Sequence, residues 1–214
     1  MIFNEHSNLL GQHAFLGASK YHWLNYDDET IVQRYNQQYV TTIGTILHGL
    51  ASDCIKNHIR LSKTNDRHLV TLELLRKGIS NEFFNPSLIL ETLAPFVNDA
   101  IGFNMRSEQV LYYTENCFGT ADAISFRDGY LRIHDYKSGT IPAHIEQLMI
   151  YAGLFCLEYN VKPYDILETE LRIYQNSEIL YHKPDGREID DIIKKIINAN
   201  NIIDRLTSKE IKLQ

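Results

Sequence analysis

Cysteine is scarce and scattered. The 214 residues hold three, Cys54, Cys117 and Cys156, with no CxxC pair, so a zinc ribbon is not expected. An odd, widely spaced set points to a reducing compartment and buried thiols. Long apolar runs are missing too. Nothing approaches the roughly 20 consecutive apolar residues that span a bilayer. The opening MIFNEHSNLLGQH has no basic region followed by an apolar stretch, so no secretory leader is expected. Together these features predict a cytoplasmic protein with no membrane partner. Five prolines and eleven glycines are too few for a collagenous or low-complexity chain. No repeat, Gly/Ser-rich linker or P-loop pattern GxxxxGK[ST] is present. Positive charge is not in excess: 21 Lys and Arg stand against 27 Asp and Glu, a net charge of −6. Such a balance ordinarily argues against a polyanionic partner. The length fits a single domain, residues 1–214.

The first part, residues 1–105, reads as helical. Ser19 is placed to cap a short helix through Trp23 and Leu24, and Asp27–Asp28 to cap another reaching Tyr39. Thr41 or Thr42 then opens an amphipathic helix, TTIGTILHGLASDCIKNHIR. Its apolar positions Ile43, Ile46, Leu47, Leu50, Ala51, Cys54, Ile55 and Ile59 follow the 3.6-residue period. Asn85-Pro86 starts a further helix to about Phe103, with a kink expected at Pro95.

Near Ser107 the pattern changes to β. SEQVLYYTE and FGTADAISF alternate, Asp128-Gly129 is a two-residue hairpin signal, and YLRIHDYKSG is the returning strand. A helix, HIEQLMIYAGLFCLEY, lies between Pro142 and Pro163. Two strands, ILETELRIYQ and EILYHK, complete residues 106–182, and an amphipathic helix at 187–207 closes the chain. The predicted class is α/β in the broad sense, of the α+β type: a central mixed sheet flanked by helices, with a helical N-terminal half.

Taken literally, the Asp128-Gly129 turn pairs Arg127 with Tyr130, Phe126 with Leu131, Ile124 with Ile133, and Asp122 with Asp135. Side chains alternate along a strand, so these pairs share one face. Opposed carboxylates about 4.5–5.5 Å apart at Cβ destabilise a sheet, and a divalent cation reverses that sign. Two hard oxygen ligands suit Mg²⁺ or Mn²⁺. Lys137 follows on the same face, where a phosphate or an attacking water would sit. The competing reading is an Asp–Lys–Asp ion network at a sheet edge, and a bulge would break the facing altogether.

The order of these residues resembles the PD-(D/E)XK nucleases, with GTADAI, LRIHDYKSG and EQLMIYA similar to the core of the RecB/Cas4-like exonucleases. The resemblance covers about residues 41–182 and implies a restriction-endonuclease-like core. It maps the strand carboxylate onto Asp122 and the acidic-x-Lys triplet onto Asp135-Tyr136-Lys137. It also maps the helical histidine onto His48, the preceding strand glutamate onto Glu108, and the Gln-x-x-x-Tyr pair onto Gln147 and Tyr151. By this resemblance, Asp122, Asp135, His48 and the Tyr136 carbonyl hold one or two Mg²⁺ or Mn²⁺ ions. Lys137 assists the attacking water or the charged transition state, and Glu108 acts through a water. Gln147, Tyr151 and the Ser138 backbone contact substrate. Cas4-like members often carry four cysteines around an iron–sulfur cluster, a set that three cannot reproduce; no cluster is expected.

The function so implied is hydrolysis of DNA phosphodiesters by a metal-dependent exonuclease acting on linear single- or double-stranded DNA. A phage-type or stand-alone enzyme fits the length, working in recombination, repair or degradation in a bacterial or phage-infected cell. The resemblance also allows a homo-oligomer and a recombination partner protein. Two other readings remain: an endonuclease on the same core, and a non-catalytic DNA-binding or assembly protein. Arg106, Arg132, Lys137, Lys162 and Arg172 are the basic candidates for a DNA groove. The aromatic stretch Phe15, Tyr21-His22-Trp23 and Tyr26 serves either base stacking or helix packing.

Overall fold

The computed structural model describes residues 14–16 and 18–210, so the expectation for the first thirteen residues lies outside it. Ala18–Asn25 form a short 3-10 helix; the Ser19 side chain, expected as its cap, is not among those described. Of the nearby aromatics, Phe15 meets Tyr35 edge-on at 5.3 Å, and Tyr21 is exposed.

Helix α1 spans Asp28–Lys56 without interruption. Asp27 caps it, its carboxylate accepting the Thr30 N–H at 2.8 Å, with Asp28 and Glu29 favourably placed against the helix dipole. The two helices expected on either side of Tyr39 are therefore one. No Gly or Pro lies between them, and the Thr41 hydroxyl bonds back to the Gln37 carbonyl at 3.2 Å instead of capping. The helix also stops sooner than expected. Asn57 ends it, His58 turns left-handed at φ 54°, and Ile59 stays exposed. Helix α2, Arg67–Arg76, was not apparent in the sequence; it buries Val70 and Leu74. Helix α3, Pro86–Gly102, begins as expected, with the Asn85 side chain accepting the Ser87 and Leu88 N–H groups. Pro95 lies within it, and the helix continues to Gly102.

A five-stranded sheet follows in the order β1 (Arg106–Thr114), β2 (Cys117–Arg127), β3 (Tyr130–Lys137), β4 (Glu168–Gln175) and β5 (Glu178–His182). It is mixed. Neighbours are antiparallel except β3 and β4, which are parallel and need the crossover helix α4, Glu146–Tyr159. The β2–β3 turn is the expected one, with Asp128 at φ 52° and Gly129 at φ 81°. Both residues are left-handed, as a type I′ turn requires. The β4–β5 turn uses Asn176 and Ser177 in the same way, at φ 51° and 64°.

The two sheet faces bury separate cores. Helices α1, α2 and α3 cover one, packing Leu47, Leu74, Leu93 and Phe96 against Ala123, Tyr136 and Tyr174. On the other, α4 and the closing helix α5, Gly186–Glu210, pack Leu148, Ala152, Phe155 and Ile196 against Leu111, Ile124, Leu131 and Ile133. Phe126, expected on the apolar face near the turn, remains 41% exposed. Cys54 and Cys156 are buried on opposite faces of the sheet, whereas Cys117 is only partly buried. Among the described residues no helix is long and apolar enough to cross a membrane.

Candidate functional site

The expected β2–β3 register runs from Arg127↔Tyr130 to Ala123↔His134, and the ladder stops there. Asp122 and Asp135 therefore do not form the facing ladder pair the turn implied. Beside the end of that ladder, one residue on each of β1 and β2 drops out of the pairing without a change of register. Ser107 pairs with Ala123 and Gln109 with Ala121, leaving Glu108 and Asp122 unpaired between them. Glu108 has φ 51°, a left-handed conformation that costs a non-glycine residue about 1–3 kcal/mol. The packing records the break. Ala121 and Ile124 bury into the same core although regular alternation would separate them, while Ala123 between them faces α1.

The irregularity redirects Asp122. Its Oδ2 accepts the Tyr136 backbone N–H at 2.8 Å and lies 3.3 Å from His48 Nδ1 on α1. One ligand atom each from His48, Glu108 and Asp122 lies within 4.8 Å of the others. Two oxygens about 2.1 Å from one Mg²⁺ are separated by roughly 3–4 Å, so this span suits a single divalent cation. The two carboxylates are hard oxygen donors of the kind Mg²⁺ and Mn²⁺ take, whereas the imidazole is a ligand more usual for Zn²⁺ or iron. The cluster differs from the expected ligand set in containing Glu108 and leaving out Asp135. Tyr136 is buried, its ring edge-on to His48 at 5.5 Å.

Asp135 instead holds Lys137. The ammonium lies 3.0 Å from Oδ1 and 2.8 Å from Oδ2, yet Oδ2, in a side chain 2% exposed, accepts no well-aligned hydrogen bond. That leaves a buried acceptor beside the Lys137 ammonium without an aligned hydrogen bond. Lys137 also donates to Gln147 Oε1 at 3.0 Å, and Gln147 donates to the Tyr151 hydroxyl at 3.3 Å. The Tyr151 ring reaches β2 because residue 119 is glycine; a Cβ there would lie 2.8 Å from the ring. Gln147 and Tyr151, expected as substrate contacts, thus form a relay along α4 that orients the lysine. Ser138 follows Lys137 into a cleft of about 440 Å³ lined also by Ile43, Phe84, Leu88 and Tyr136.

Electrostatics follow from this crowding. Burial and the neighbouring Asp122 push the Asp135 carboxyl up to about 6, against the pull of Lys137. Burial and Asp122 likewise raise Glu108. Burial alone would lower His48, but the hydrogen bond and charge of Asp122, with Asp135 and Glu108 behind it, hold it above its usual value. Three groups thus keep protons longer than usual in one place, Asp135 because it is buried and Glu108, though exposed, because it adjoins Asp122 and is partly desolvated.

Two of the expected groove cations are engaged within the fold. Arg172 bonds Asp99 at 2.9 Å and lies 3.1 Å from Glu170, while Arg132 stacks over Phe103 at 4.6 Å and lies 3.7 Å from Glu170. With buried His134 and Tyr174 they form a network that the sequence did not disclose. Despite its own burial, Glu170 is held down at about 2 by the His134 hydrogen bond and Arg172.

Fold and site together define an α+β domain with a His–Glu–Asp cluster at a break in a mixed sheet and a carboxylate-held lysine beside it. By its sequence the chain belongs to the protein family of unknown function DUF2800, whose model matches residues 13–178 and so includes every residue of the site. None of the curated proteins matches the chain. A crystal structure described as that of SSO0001 is similar at 16% identity, covering 73% of this chain and 87% of that one with a TM-score of 0.30.

Proposed function

We propose that this protein is a metal-dependent DNA nuclease of the PD-(D/E)XK type, near the RecB/Cas4-like branch, acting as an exonuclease on linear DNA in a bacterial or phage-infected cytoplasm. The observation that carries the reading is the convergence of His48, Glu108 and Asp122 within 4.8 Å, next to a lysine tied to Asp135 and Gln147. Glu108 adds a second carboxylate to the His48–Asp122 pair, and the imidazole can compensate only one of the two.

In this reading His48, Glu108 and Asp122 hold Mg²⁺ or Mn²⁺, with the buried Asp135 carboxylate beside them. When bound, the cation supplies Lewis acidity toward a phosphodiester and acidifies water. The chain's own groups do the rest. Asp122 ties β2 to β3 through the Tyr136 N–H and fixes where the ligands meet. Asp135 and Gln147 aim the Lys137 ammonium at a phosphate oxygen, where it stabilises charge developing in the transition state. Tyr151 keeps the Gln147 amide in the orientation that accepts from Lys137.

The test is cleavage of end-labelled linear single- and double-stranded DNA with Mg²⁺ or Mn²⁺, against excess EDTA and a covalently closed circle. Degradation of linear DNA alone, abolished in Asp122→Asn and Lys137→Ala, supports an exonuclease. Cutting of the closed circle would reassign it as an endonuclease, and undiminished activity in Lys137→Ala would overturn the site.

A further inference from the structure

On the α4 side of the sheet, below the metal cluster, lies a cavity of about 420 Å³ that the proposed chemistry does not use. Arg106, Ile124, Phe126, Arg127, Phe155 and Tyr159 line it. Its aromatic wall is continuous: Phe126 and Phe155 are 5.1 Å apart at their ring centroids, and Phe155 and Tyr159 also 5.1 Å. Phe126 and Tyr159 are 41% and 51% exposed, so both offer ring surface to a ligand. Neither guanidinium pairs with a carboxylate among the described residues. That sets them apart from Arg132 and Arg172, which the Glu170 network consumes. Exposed aromatic faces beside unpaired cations are the combination that binds single-stranded nucleic acid, with bases stacking and phosphates meeting positive charge.

Position relates this cavity to the cluster. Ile124 and Phe126 lie two and four residues beyond Asp122 on β2, and Arg106 lies two before Glu108 on the adjoining edge strand. At about 3.3 Å per residue these are roughly 7–13 Å from the metal ligands. Phosphates of a stacked strand are about 3.4 Å apart along its axis, so the cavity lies at least roughly two to four nucleotides from a phosphate held at the cluster, the step between the two sides of the sheet being additional.

We propose that this cavity is a flanking subsite for single-stranded DNA, stacking a base on Phe126 and Tyr159 and holding its phosphate with Arg106 and Arg127. The inference rests on the nuclease reading for which strand enters, but its test does not depend on cleavage. A fluorescent 12-nucleotide oligodeoxythymidylate and a dinucleotide are titrated against the full chain in EDTA. The variants are Tyr159→Ala, exposed and at the end of its helix, and the double variant Arg106→Ala with Arg127→Ala. Tyr159→Ala should weaken binding of the 12-mer between about 5-fold and 150-fold, the measure of one stacked base. The double arginine variant should flatten the salt dependence by about 0.7 for each phosphate it no longer neutralises. The dinucleotide, with two bases and one phosphate, fills the subsite by itself and should weaken in the same direction as the 12-mer. Affinity for the 12-mer within twofold of wild type in both variants would overturn the subsite. A weakened 12-mer in a protein that never cleaves DNA would leave the subsite standing and remove the nuclease reading instead.

Discussion

Replacing Glu108 by glycine separates that residue's role in the fold from its role in the site. In the fold it is strained: φ 51° in the middle of a strand costs about 1–3 kcal/mol. In the site it is one of three clustered ligands, a carboxylate whose proton is held by burial and by the charge of Asp122. Glycine removes the strain but adds back about 0.5–1 kcal/mol of unfolded-state freedom. The metal-free variant is therefore expected to gain roughly 1 kcal/mol, about 2–4 °C in Tm for a chain of this length. Metal should act oppositely. A cation present at 100 times its Kd stabilises the wild type by about 2.7 kcal/mol, and Glu108→Gly should lose most of that increment. Thermal melts in EDTA and across a Mn²⁺ titration, with Glu108→Gln beside Glu108→Gly, read both effects. Glu108→Gln should also lose the metal increment, and because it keeps the strained backbone its gain in EDTA should be limited to relief of the charge crowding with Asp122. A metal-free Glu108→Gly that melts lower than wild type would refute the strain argument, and an undiminished Mn²⁺ increment would refute the ligand assignment.

Gln147→Leu removes the side-chain acceptor that Lys137 shares with Asp135; turnover should fall about 10-fold to 150-fold, the loss of a charged hydrogen bond, while Mn²⁺ affinity by calorimetry stays unchanged. Equal losses in both would show that Gln147 supports the ligands and not the lysine. Leu47→Ala, fully buried one residue before His48, should cost about 2–5 kcal/mol in urea unfolding; a smaller cost would mean that the α1 side of the core collapses around the deletion. In EDTA, stability should fall as pH rises from about 4 to 8. Asp135, Glu108 and His48 all have folded pKa values above their ordinary ones, so their contribution is complete below the unfolded pKa and lost on passing the folded one. Asp135→Asn should flatten that slope, and an unchanged slope in this variant would remove Asp135 from the account.

What could be read from the chain was what short-range rules encode. Asp128-Gly129 fixes a two-residue turn, and the turn fixes five successive pairs as far as Ala123↔His134. Asn85-Pro86 and Asp27 mark helix starts by the same kind of local chemistry. The merging of α1 across Tyr39 was hidden because threonine serves equally as a cap and, through its back-bond to Gln37, as an interior residue. Helix α2 was hidden because RHLVTLELLR spaces its apolar residues to suit a strand as well as a helix. The break at Glu108 and Asp122 was out of reach for a further reason. It occurs in RSEQV and TADAI, where polar or small residues blur the alternation that would betray a change of face.

That break is also where the site is made. A regular register would have set Asp122 across from Asp135 on the α4 side, leaving His48 on α1 behind the sheet. The unpaired residues bring Asp122 to His48 at 3.3 Å and add Glu108 from the edge strand, while Asp135 beside them stays paired with Lys137. The consequence is a division of labour between two acids that share a hairpin. One gathers the candidate cation ligands, and the other holds the candidate phosphate contact. Removing Glu108 and Asp122 together, one from each strand at an unchanged register, should therefore disable metal binding and displace the lysine together, whereas each single side-chain change above affects only one of them.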